Sequence, residues 1–148
     1  VNGKININQL NFGEILMKKH YMGFSLIELL TVIAIIGILA AMAFAVYQTY
    51  IARTQVTEAI VQAGGLKPQI VINVGNNTCG TDSSLGTYGV AVVAGTAPDC
   101  TITYTFNTTK ATAILKSKVI GFDVGSSGSL SLNSDTTVDR IYIPNSIQ

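Results

Sequence analysis

Tryptophan is absent from this 148-residue chain, histidine occurs once, at His20, and charged residues make up only 11%. No G-x-S-x-G nucleophile motif, phosphate-cradling glycine loop or paired-histidine metal motif occurs, so the usual catalytic constellations have no raw material. Two cysteines, Cys79 and Cys100, are too few for a structural zinc site, which wants four ligands. A formal net charge of +1 argues against a general nucleic-acid binder. No internal repeat or heptad is evident either. No enzyme activity, metal or cofactor is therefore expected.

What the chain does have is one long apolar run. From Phe24 to Val46 it is broken only by Ser25, Glu28, Thr31 and Gly37. At about 1.5 Å per residue, a helix over these residues is roughly 35 Å long, enough to cross a hydrocarbon core of about 30 Å. The basic pair Lys18 and Lys19 precedes it, which keeps that end cytoplasmic and exports the remainder. Two starts are open: the first residue as read, Val1, and the internal Met17. Glu28 is the anomaly, because a carboxylate inside a membrane segment is costly and marks a functional site that needs a partner.

Three ordinary readings of the run compete. A cleaved secretory signal peptide would use small-residue sites such as Ala41-Met-Ala43 or Ala43-Phe-Ala45 and release a binding domain. The run is longer than the usual 7–15 residues of such peptides, and it holds Glu28. A plain membrane anchor explains the length and leaves Glu28 without a purpose. A buried core helix of a soluble protein rarely runs to twenty-odd apolar residues.

The segment Gly23-Phe-Ser-Leu-Ile-Glu-Leu-Leu-Thr-Val-Ile-Ala-Ile-Ile-Gly-Ile-Leu-Ala-Ala closely resembles the class III signal and first helix of type IV pilins, a superfamily shared with the pseudopilins of type II secretion. The match runs from Gly23 to about Leu66. It implies that residues 1–23 are a leader removed by a membrane-embedded prepilin peptidase, which cuts between Gly23 and Phe24 and methylates the new amine of Phe24. It implies assembly into a self-polymer by an inner-membrane platform and a secretin. The mature chain would sit in the inner membrane as a single-pass protein before assembly and in a surface fibre afterwards. On this reading Gly23 serves a protease that grips extended backbone; the alternative is a helix N-cap without a processing role. The partner of Glu28 is then the cationic amine of Phe24, four residues away on the same helix face or on a neighbouring subunit. Snorkelling of Glu28 to the headgroups is the alternative before assembly.

Beyond Val46, the residues Ala52, Val56, Ala59, Ile60 and Ala63 recur at helical spacing, with Arg53, Gln55 and Glu58 off that stripe. A long helix over 24–65 is expected, apolar over 24–46, with Tyr47 and Tyr50 at the membrane interface. Many type IV pilins have a kinking proline where this chain has Ala45, so a straighter helix is expected there and local melting near Gly37 stays open. Gly64, Gly65 and Pro68 predict a break or a kink, with a short helical turn resuming over Gln69–Val74 as an option.

Residues 66–148 read as a β-rich head. Tyr88–Val93 is strand-like, and Ile102, Tyr104 and Phe106 share one face of an alternating strand. Ala113, Leu115 and Val119 set another apolar face inward and leave Lys116 and Lys118 outside. Gly125-Ser-Ser-Gly is a turn before a short strand at Leu130 and Leu132, and Arg140-Ile-Tyr-Ile-Pro predicts a last strand stopped by Pro144. The expected fold class is α+β, a long N-terminal helix on a small antiparallel meander.

An even cysteine count beyond a membrane segment suits a disulfide, Cys79–Cys100, with two free thiols as the alternative. Most type IVa pilins place that bridge near the C-terminus. Here it is displaced toward the helix–sheet connection, so adhesive roles of the family's C-terminal loop do not carry over. Asp123, Asp135 and Asp139 lack the spacing of a calcium loop. Lys110, Lys116 and Lys118 form a modest basic strip that could touch DNA phosphates weakly; a solvated strand face is the bland reading. Asn76 and Asn107 head glycan-acceptor patterns that are common by chance. The function expected is a pilus subunit for adhesion, twitching motility or DNA uptake, with the pseudopilin and the secreted domain as rivals.

Overall fold

The computed structural model describes residues 23–148; residues 1–22, with Met17, Lys18, Lys19 and His20, and with them most of the expected leader, lie outside the described residues. It divides into two compact units, the residues up to Leu39 and Ala40–Gln148. Helix α1 spans Leu26–Val74. In the first unit it is a run of Leu, Ile, Val and Ala, broken by Glu28, Thr31 and Gly37, with every residue exposed. An apolar helix with no buried face is not a core helix, which sets that reading aside.

In the second unit α1 buries Ala52, Gln55, Val56, Ala59, Ala63, Leu66 and Ile70. The expected break at Gly64, Gly65 and Pro68 does not occur, and α1 runs on to Val74. Two glycines and a proline would cost an isolated helix several kcal/mol. Here Ala63, Leu66 and Ile70 fasten the helix to the head on both sides of Pro68. Pro68 has no N–H to offer the Gly64 carbonyl one turn earlier, so one bond of the ladder is missing there. The helix stops at Val74, and a turn follows in which Asn77 has a left-handed φ of 60°. The Asn76 and Thr78 N–H groups donate back to the Asn73 carbonyl at 2.9 and 3.1 Å.

Five strands follow as a meander in the order β1-β2-β3-β4-β5. They are β1 (Ser83–Leu85), β2 (Gly89–Thr96), β3 (Asp99–Phe106), β4 (Val119–Val124) and β5 (Leu130–Leu132). All pairs are antiparallel, and the register places buried residues in rows: Ala91, Tyr104 and Ile120, then Val93, Ile102 and Phe122. Small residues on α1 (Ala52, Ala59, Ala63) share this core with Tyr104, Phe106 and Phe122. The Tyr104 and Phe106 rings meet edge to face, centroids 5.0 Å apart. Cys79 and Cys100 are bonded, tying the segment after α1 to the start of β3.

Two expectations for the head fail. Residues 109–117 form successive turns rather than a strand, so Ala113 is exposed and Ala111 is buried beside Leu115. Arg140–Tyr142 is a short 3₁₀ helix (η1), not a strand. Asp139 caps it by accepting from the Ile141 N–H, and the Ile143 N–H donates to the Arg140 carbonyl. A local cap of this kind outcompetes a ladder when the neighbouring strand, β5, is only three residues long.

Polar side chains along α1 hold the head loops, and helical spacing alone misses this. Gln55, expected off the core, is 4% exposed and its Oε1 accepts from the Thr112 N–H at 2.9 Å. Glu58 accepts from the Thr87 N–H, and Gln62 accepts from the Ser84 hydroxyl. Arg53 Nε donates to the Ile141 carbonyl at 3.1 Å, and Asn73 Nδ2 to the Cys79 carbonyl at 3.4 Å. A side chain at Gly86 would run into Glu58 and the Tyr104 hydroxyl, so this loop must be bare to close over α1.

Beneath that loop the Tyr104 hydroxyl is buried with no hydrogen-bond partner. Burial first, and the Glu58 carboxylate second, push its pKa from 10.0 up to about 12. A phenol raised in the folded state contributes stability that is whole below pH 10 and lost as pH climbs toward 12. Tyr104→Phe is expected to be neutral to stabilising by about 1–2 kcal/mol near pH 8, since it removes an unpaired buried hydroxyl. It should also flatten the alkaline fall in stability. Thermal melts of the full chain in detergent at pH 8 and pH 11 check both, and a marked loss at pH 8 would refute the assignment.

Candidate processing and assembly site

Gly23, Phe24 and Ser25 precede α1 in irregular backbone, so Phe24 stands just outside the helix, 78% exposed. Because α1 begins at Leu26, its N-cap is Ser25, and the alternative role of Gly23 as the cap does not hold. A side chain added at Gly23 would meet no atom within 4 Å, and its backbone is not in the left-handed region. Among the described residues, nothing requires glycine there.

Glu28 turns back on the helix start. Its Oε2 accepts from the Ser25 N–H at 2.8 Å, while the Ser25 carbonyl accepts from the Leu29 N–H. This is the reach-back half of a capping box, with Ser25-Leu-Ile-Glu28 as its sequence signature. That four-residue pattern was the available signal, and the charge argument alone overlooks it. The cap stabilises the first turn, and the helix dipole favours a carboxylate at this end. Glu28 is exposed, and Phe24 lies on the next residue before the bonded Ser25 N–H. A carboxylate one turn into the helix is thus held at the Ser25 N–H, one residue after Phe24.

The remaining candidates are scattered. Asp123 pairs opposite Ser131 across the sheet, Asp139 caps η1, and Asp135 sits in the turn after β5. Among the described residues, no group of three or more His, Cys, Asp or Glu side chains could hold a metal. Lys110 and Lys116 are exposed and Lys118 half-buried, all in the turns between β3 and β4. Asn107 folds its Oδ1 onto the Thr109 and Lys110 N–H groups, bracing the same turns. Tyr47 and Tyr50 are exposed on α1.

Comparison with known proteins bears on the whole chain. A family model for pilins, described as a bacterial filament, matches residues 52–148, and one for the prokaryotic N-terminal methylation motif matches residues 22–44. The chain belongs to the type IV pilin family. A fimbrial protein of Moraxella nonliquefaciens is 42% identical over 147 residues, covering 85% of this chain and 96% of the relative. A type IV major fimbrial protein FimA of Dichelobacter nodosus is 34% identical over 158 residues, covering 89% and 98%. This pilin thus matches both of these relatives along nearly their whole length. The α+β architecture, the disulfide and the exposed apolar helix are those of a fimbrial protein with a membrane-anchored precursor and an extracellular fimbria. The family is a structural one and not a class of enzymes. Self-association and a leader-processing motif come with that membership.

Proposed function

We propose that the chain is the structural subunit of a type IV pilus, polymerised through α1 into a surface fibre, with no catalytic activity of its own. One observation carries the reading. The helix from Leu26 to Val46 buries none of its apolar surface, yet it carries a single carboxylate, Glu28, at its head. Such a surface must be covered, by lipid and then by other copies of itself, at roughly 25 cal/mol per Å². Prepilin peptidase cuts between Gly23 and Phe24 and methylates the Phe24 amine; an inner-membrane platform and a secretin then pass the subunit outward. The matched methylation motif supports this processing. Adhesion, twitching motility or DNA uptake is the role of such a fibre. A pseudopilin of the type II secretion machinery would instead show calcium-dependent folding.

Mass spectrometry of surface-sheared material tests the proposal. A chain beginning at methylated Phe24 is expected, whereas a start near Val46 would make this a secreted domain. Gly23→Val should leave an uncut precursor in the membrane, with the melting temperature of the full chain unchanged, because none of the described residues would meet a side chain at that position. Normal cutting of this variant would remove Gly23 from the site. DNA contact through Lys110, Lys116 and Lys118 would be weak. It predicts binding that falls with salt at a slope of no more than about three, and salt-independent binding would exclude it.

A further inference from the structure

The balance of charge in the head differs between its two ends. β3 and β4 are paired with Thr105 opposite Val119 and Cys100 opposite Val124. The turns that join Phe106 to Val119 therefore lie at one end of the sheet, and they hold Lys110, Lys116 and Lys118. Helix α1 enters the head at that same end. Its Gln55 binds Thr112 of those turns, and Arg53, two residues earlier, binds Ile141 beside Arg140. Glu58 and Asp139 are also here, but they accept from the backbone of Thr87 and Ile141. Asp135 is the remaining acid near this end. The opposite end, where Cys79 is bonded to Cys100, holds Asp82, Asp99 and Asp123, with Lys67 the cation that α1 brings nearest.

Each end also has a hollow. Arg53, Arg140, Tyr142 and Asn145 line one, and Asp99, Asp123, Ser126 and Ser129 line the other. Arg53, Arg140, Asp99 and Asp123 are all exposed. A lipid headgroup or a nucleic acid would use the basic end alone and leave the acidic hollow without a purpose. A second copy of this chain uses both.

We propose that heads stack end to end, the Arg53–Arg140 hollow of one copy seated on the Asp99–Asp123 hollow of the next. A contact between two different patches of identical chains does not close on itself in pairs; repeated, it yields an open filament. Opposite charges facing each other favour this order and penalise basic-to-basic or acidic-to-acidic encounters. The inference rests on the reading of the chain as a fibre subunit, and it adds the direction and the residues of a head contact to the cohesion of the helices.

Charge reversal tests it in cells that process the full chain. Arg140→Glu alone, or Asp99→Lys with Asp123→Lys alone, should lower sheared fibre yield by about tenfold. The three substitutions together should restore it to within about threefold. Equal melting temperatures of the detergent-solubilised chains establish that each variant is folded. Native yields from both single-end variants would overturn the contact and leave the pilus reading intact. Failure of the unaltered, correctly cut chain to form fibres would instead sink that reading. Loss of binding to phosphatidylglycerol vesicles or to DNA in Arg140→Glu, with fibre yield unchanged, would assign the basic end to that partner and overturn the stacking.

Discussion

Glu28→Val is expected to abolish surface fibres, lowering their yield at least about a hundredfold, while the membrane pool is still cut after Gly23. The structure sharpens this expectation, because Glu28 has two separable properties. It caps α1 by accepting from the Ser25 N–H at 2.8 Å, and it carries the only charge between Phe24 and Val46. Valine removes both, whereas glutamine keeps an acceptor at the same position of the capping box and removes only the charge. If the charge sets the register of packed helices through the Phe24 amine, Glu28→Gln should fail nearly as completely as Glu28→Val. The reason is that a cationic chain end left unpaired in a dry bundle costs several kcal/mol. If the cap is what matters, glutamine should restore most of the fibres, since an N-terminal cap contributes about 1 kcal/mol and its loss frays only one turn. Fibre yield after shearing, with the N-terminal mass of the membrane pool measured in parallel, separates these outcomes. Abundant fibres from Glu28→Val would defeat both accounts.

The second large effect is expected at the disulfide. Cys79 and Cys100 are both buried, and the bridge closes a loop with a sequence separation of 21 that contains β1 and β2. On the chain-entropy relation a loop of that size contributes roughly 3 kcal/mol by restricting the unfolded chain. For a head of about 100 residues, this is a fall in melting temperature of about 12–24 °C. The double variant Cys79→Ser/Cys100→Ser should show it in a thermal melt of the full chain, and reduction of the unaltered chain should reproduce most of it. Assembly should suffer less than stability at growth temperature, since neither residue is exposed for contact with another copy. A shift below about 3 °C would mean that Asn73 and the α1 contacts already pin this segment.

Much of this pilin was legible in its residues. The apolar run, the glycine–phenylalanine–glutamate spacing and the alternation in Thr101–Phe106 each depend on nearest neighbours along the chain, and such local patterns leave a direct trace. The same holds for the pairing of two lone cysteines beyond a membrane segment. What was misread depended on distant partners. Gln55 looks solvated by helical spacing, and only the arrival of Thr112, 57 residues on, makes its burial favourable. Pro68 looks like a break, and only Leu66 and Ile70 seated in the sheet's core carry the helix past it. Arg140-Ile-Tyr-Ile looks like a strand by composition, yet it coils because Asp139 caps it.

The sequence alone therefore determined where the long apolar run lies, which residues head it, and which residue types line the core. Those are properties of a few adjacent side chains and their transfer from water. Only the tertiary structure decided how far α1 continues, which polar side chains hold the head to it, and that an excess of cations and an excess of carboxylates fall at opposite ends of the sheet. The reason is physical: each of these follows from groups far apart in the chain, whose favourable contact exists only after the meander has folded against the helix and offset the entropy of bringing them together.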